Sequence, residues 1–152
     1  MSDQSLFATI DKLLAEPTLD PDKIGQLLGA KLVRNPDADT PAVEAWEPAP
    51  GKAGIYETID LRMPDPDIGD GAIFLSATTR EDGGIDGTAI GAHYGLDFKT
   101  ELPSPRYRPG TVPVYLIYER DWGTLSFGVT ADAQRRLVRF VLSMRRPVGE
   151  QG

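Results

Sequence analysis

The chain has 152 residues, 40% of them hydrophobic, enough for one packed domain or two small halves sharing a core. Asp and Glu outnumber Lys and Arg by 23 to 16, giving a formal net charge of −7, a balance that argues against nonspecific binding to nucleic acid or anionic lipid. There is no cysteine, which excludes disulfide frameworks, thiolate metal sites and cysteine nucleophiles.

The opening residues, Met1 to Ser5, lack the basic and then apolar pattern of a signal peptide, and no apolar run reaches membrane-spanning length. A cytoplasmic protein is expected, with a periplasmic one open if a signal peptide has been removed. Leu6, Phe7, Ile10, Leu13 and Leu14 recur at helical spacing before Pro17, which predicts an amphipathic helix. A second, short helix is predicted after Asp20, a natural N-cap, with Pro21 at the first helical position and Gly29 at the end. From Arg34 to Gly54 the chain reads as loops and turns, interrupted by a short strand from Val43 to Glu47. Strands follow from Gly54 to Met63 and from Ala72 to Thr79, separated by the turn from Pro64 to Gly71.

The segment from Asp86 to Gly95 is read as a glycine-rich, intrinsically poor helix. A loop with three prolines, Leu96 to Gly110, leads into the strongest structural signal in the chain. Between Val112 and Glu119 aromatic and β-branched residues cluster, Asp121-Trp122-Gly123 makes a turn, and Thr124 to Val129 alternates apolar and small residues with a period of two. This is an antiparallel hairpin. Leu137 to Met144 is read as a further strand after a turn from Ala131 to Arg136. Ala133, Leu137, Phe140, Val141 and Met144 also fall at helical spacing, with Thr130 available as a cap, so a final helix stays open. Residues 145–152 read as a frayed polar tail.

The expected fold class is α+β, a single domain of antiparallel sheet with helices on one face. An internal repeat is legible in it. Asp20, Ile24, Gly25, Leu28 and Gly29 match Asp86, Ile90, Gly91, Tyr94 and Gly95 at identical spacing, and each set precedes a proline-containing loop and three strand-like runs. Trp46-Glu47 corresponds loosely to Tyr118-Glu119. The repeat would span residues 20–80 and 86–144, leaving an open sheet face opposite the helices. With its short helices ending in Leu28-Gly29 and Tyr94-Gly95 and its meander strand Leu125 to Val129, the chain resembles the small tandem α+β modules of the β-lactamase-inhibitor-protein-like group. More distantly it resembles the outer-membrane assembly lipoproteins of the BamE/SmpA type. The resemblance implies a binding or inhibitory role rather than a reactive centre.

Catalytic motifs are weak by comparison. His93 is the single histidine, so no histidine pair exists at metal-ligand spacing and a Ser-His-Asp triad could use only this residue. Asp65, Asp67 and Asp70 imitate a calcium loop, but Ser76 stands where the bidentate Glu is required. Gly83, Gly84 and Gly87 are not followed by the Lys-Ser/Thr of a phosphate loop. No metal or cofactor is expected, and no enzymatic activity. Arg106, Tyr107 and Arg108 in the proline loop, Asp121 and Trp122 at the hairpin tip, and Trp46 at a strand end carry the residue types that dominate protein-binding hot spots. The expected function is non-catalytic recognition of another protein, of the inhibitor or immunity type, with a basic partner fitting the acidic balance and neither nucleic acid nor membrane involved. The alternative is a small enzyme with a carboxylate-based site.

Overall fold

A buried apolar stripe marks the first helix, and capping chemistry bounds the second. α1 (Asp3–Ala15) buries Leu6, Phe7, Ile10 and Leu13, the residues one helical stripe brings together. α2 (Pro21–Leu28) starts where extended Asp20 accepts the backbone N–H of Lys23 at 2.7 Å, and stops where Gly29 takes φ 73°. A left-handed residue of this kind is cheap only for glycine. The structure, a computed structural model, describes residues 3–16, 19–40, 43–64, 72–79, 85–102, 104–106, 112–131 and 135–144.

Eight strands form one antiparallel sheet: β1 (Leu32–Arg34), β2 (Val43–Pro48), β3 (Tyr56–Pro64), β4 (Ile73–Thr79), β5 (Lys99–Glu101), β6 (Val114–Arg120), β7 (Gly123–Val129) and β8 (Leu137–Met144). Their spatial order is β1-β2-β3-β4-β8-β7-β6-β5. A third helix, α3 (Thr88–Tyr94), lies between β4 and β5 in the chain. The α+β class with antiparallel sheet is therefore as expected. β1 and β5 are additional to the expected strands: each has only three residues, β5 inside the segment that reads as loop and β1 at the start of another.

The last element is a strand, and its helical spacing has a physical cause. Val129 faces Leu137, whereas Gly128 faces Arg139, so Val138 is an extra residue in β8. This β-bulge lets Leu137 and Phe140, three apart, both point inward. The hydroxyl of Thr130, a possible cap for a helix, instead accepts the backbone N–H of Arg136 at 2.9 Å and closes the turn. β3 contains a comparable irregularity at Glu57, which brings both Tyr56 and Ile59 into the core.

The core sits on the helix side of the sheet. Cross-strand register aligns Trp46, Leu61, Leu75, Leu142, Leu125 and Tyr118 in one row through six strands. A second row holds Ile59, Ala77, Phe140, Phe127 and Leu116. Phe127 meets Phe7 of α1 and Tyr94 of α3 at ring separations of 6.1 and 5.4 Å, which fixes both helices on this face. Ile24 of α2 and Ile90 of α3 are at most 1% exposed in the same core. Each large apolar side chain buried in this way contributes roughly 1.5–3 kcal/mol.

Asp20 and Asp86 do not act identically. Asp86 accepts the N–H and hydroxyl of Thr88 at 2.9 and 2.8 Å, one residue before the N-cap position, which Gly87 occupies. These bonds favour the ionised carboxylate and hold it below its ordinary titration range.

Candidate functional site

The rows that alternate with the core rows face away from the helices. One comprises Thr58, Thr78, Arg139, Gly128, Tyr115 and Glu101. The next holds Asp60, Ser76, Val141, Ser126, Ile117 and Lys99. A third holds Ala45, Arg62, Phe74, Ser143, Thr124 and Glu119. Among the described residues, the short 3-10 turn Pro36–Ala38 touches this face at its β2 end, where Ala45 is buried and the Arg62 guanidinium reaches the Ala38 carbonyl at 3.4 Å. The centre is different in character. Phe74, Ile117, Val141 and Tyr115 are partly exposed there, interleaved with the hydroxyls of Ser76, Ser126, Ser143, Thr124 and Thr78.

The polar residues of this face are held in place. Tyr115 lies across Gly128, where an added Cβ would meet its ring at 3.1 Å, and its hydroxyl is 3.4 Å from the guanidinium of Arg139. The Nε of Arg139 also donates to the hydroxyl of Thr78 at 3.1 Å. Arg62 donates to Asp60 at 2.8 Å, and that carboxylate raises its pKa further. Towards the β5 edge, Lys99 pairs with Glu119 at 2.6 Å. An apolar, hydroxyl-studded centre is thus rimmed by charged side chains that pair with one another at the surface.

Of the residues singled out from sequence, those that are described do not form one patch. Arg106 is exposed in a turn after β5, with its backbone N–H 3.4 Å from the hydroxyl of Ser104. Tyr107 and Arg108 lie outside the described residues, as do Asp65, Asp67 and Asp70 and the tail 145–152. Asp121 is exposed at the β6–β7 turn, while Trp122 beside it is half-buried against the core. Trp46 belongs to the helix-side row and packs against the same core, with its indole N–H 3.4 Å from the carboxylate of Glu44. Four strands separate β2, which carries Trp46, from β6, which leads to Trp122.

His93 sits where α3 meets α1. Its Nε2 is 2.7 Å from one oxygen of Asp11, whose other oxygen accepts the hydroxyl of Tyr94 at 2.9 Å. Burial, and then this carboxylate, push the Tyr94 pKa well above its ordinary value, so the phenol remains a neutral donor. The ring of His93 also packs on Phe7 at 5.0 Å, so the cluster ties the two helices together. Among the described residues no group of three or more His, Asp or Glu side chains is placed to hold a metal ion.

The residues of the open face were missed by sequence reasoning, though a signal existed. β6 is apolar or aromatic at consecutive positions from Val114 to Tyr118, and β4 begins Ile73-Phe74-Leu75. Such runs load both faces of a strand, and only one face can join the core. Comparisons with protein-family models, with curated proteins and with solved structures found no match for this chain.

Proposed function

We propose that the protein works by non-catalytic recognition of another protein, and that the open sheet face is the surface it uses. The single observation that carries this reading is the row structure of that face, an apolar and hydroxyl centre of Phe74, Ile117, Val141 and the serines between Arg139 and the Arg62–Asp60 and Lys99–Glu119 pairs. Protein interfaces share this anatomy, with a desolvated centre and a polar rim. The net charge of −7 favours encounter with a basic partner, since complementary fields raise association rates. An inhibitor or immunity-type role, exercised in the cytoplasm, is the specific form we assign to it.

The internal repeat belongs to the same reading. Its support is the mirrored strand order and the row Trp46, Leu61, Leu75, Leu142, Leu125 and Tyr118, which has an aromatic residue at each end and leucines between. The terminal strands of the two halves, β4 and β8, pair antiparallel, as a twofold relation between halves requires. Two copies of a helix-and-meander unit joined in this way make a sheet wide enough to serve as a platform.

Ile117→Arg tests the site. It places an unpaired charge in the middle of the open face, where folding is disturbed little because the side chain is already partly exposed. Binding of a captured partner should weaken by about 2 kcal/mol or more, roughly thirtyfold in affinity. Retained affinity would remove this face from the site. A second reading, a small enzyme, is favoured only by the short and solvent-accessible Asp11–His93 contact. A turnover abolished by His93→Ala with the fold intact would establish it in place of recognition.

A further inference from the structure

β5 is a short edge strand that carries charges of both signs. Lys99, Thr100 and Glu101 are all exposed, and the two most exposed large apolar residues among those described flank them, Leu96 at 81% and Leu102 at 72%. Among the described residues β5 pairs with β6 alone. Its other side therefore presents backbone N–H and C=O groups that no described strand bonds, a template for a further strand.

From this edge we infer that two copies of the chain associate through β5, antiparallel and centred on Thr100, to give one continuous sheet. The charge pattern selects this occupant. In an antiparallel pairing about Thr100, Lys99 of each copy stands opposite Glu101 of the other, so the strand is complementary to itself. Either shift by two residues breaks this match. The side chains agree with the charges. Phe98 lies on the helix side, its ring 5.6 Å from that of Tyr118, and alternation along the strand puts Thr100 and Leu102 on that side too. The same register brings Leu102 of each copy opposite Phe98 of the other. Leu96, which lies against Gly91 of α3, extends the apolar strip beside them. Lys99 already contacts Glu119 on the outward face, and Glu101 of the second copy would join that pair.

A lone lysine on an edge strand often serves to repel a second strand. Here the glutamate two residues on reverses that effect for one partner, this same chain. The pairing is short, so association is concentration-dependent. It leaves the centre of the open face uncovered and does not depend on that face having a partner.

Sedimentation velocity of the full chain across a wide concentration range is the test. The wild type should move from monomer to dimer as concentration rises. Glu101→Lys and Lys99→Glu should each weaken self-association about tenfold, because like charges then face each other twice. Mixing these two variants should restore a dimer, since one strand then carries two lysines and the other two glutamates. Leu102→Ser, which changes no charge, should also weaken the dimer. Thermal melting beside each run shows that the variants are folded. A wild type that stays monomeric throughout, a variant that dimerises as well as the wild type, or a mixture that does not recover the dimer would overturn the proposal.

Discussion

Gly123 shows how closely single residues are specified here. It has φ 143°, and a Cβ at this position would sit inside the space of the Ser143 carbonyl oxygen on β8. Gly123→Ala should therefore destabilise the protein by about 3 kcal/mol, through backbone strain and the clash together. Gly51 has φ 73° with open space around its Cβ position, so Gly51→Ala should cost only about 1 kcal/mol. Urea denaturation of both variants checks the contrast. Asp20→Ala should cost about 1 kcal/mol in the same assay, by removing the cap of α2. Asp39 gives a pH dependence. Its carboxylate accepts the N–H of Ala45 at 2.8 Å and pairs with Arg34 at 2.7 Å, and these contacts lower its pKa below 3.8. The stabilisation is complete above the unfolded value and is lost as pH falls through the lower, folded value. The wild type should lose stability more steeply than Asp39→Asn on acidification below pH 3.8, measured as the urea midpoint against pH.

At the scale of elements, the strands differ in how well they are held. β4, β7 and β8 are each paired on both sides, whereas β1 and β5 are three-residue edges. Hydrogen exchange should be slowest at Leu75, Leu125 and Leu142 and fastest at the two edges. Uniform protection across all eight strands would contradict the topology. The longer strands were legible in the sequence because alternation and β-branched clusters extend far enough to register, as from Thr124 to Val129. β1 and β5 were not, since three residues cannot display a period and their neighbours are turn formers. The helical spacing of Leu137, Phe140 and Met144 misleads for a different reason, the bulge at Val138. A period-two pattern interrupted by one residue imitates a helix over a single turn.

On the scale of the whole molecule, the sheet has two unequal faces. Sequence alone showed that Trp, Tyr and Arg were present, but not which face or edge would hold them. Trp46 and Trp122 both pack against the core, so Trp122→Ala should lower the melting temperature, with differential scanning calorimetry as the check. The open face depends on cross-strand register, which brings Phe74, Val141 and Ile117 together from strands far apart in the chain. The most direct measurement is calorimetric titration of a partner captured from source cells against the wild type, Ile117→Arg and Trp122→Ala, with folding confirmed for each. Ile117→Arg should lose about thirtyfold in affinity while Trp122→Ala, if still folded, loses little. Equal binding by the wild type and Ile117→Arg, or loss confined to Trp122→Ala, would contradict the assignment of the open face.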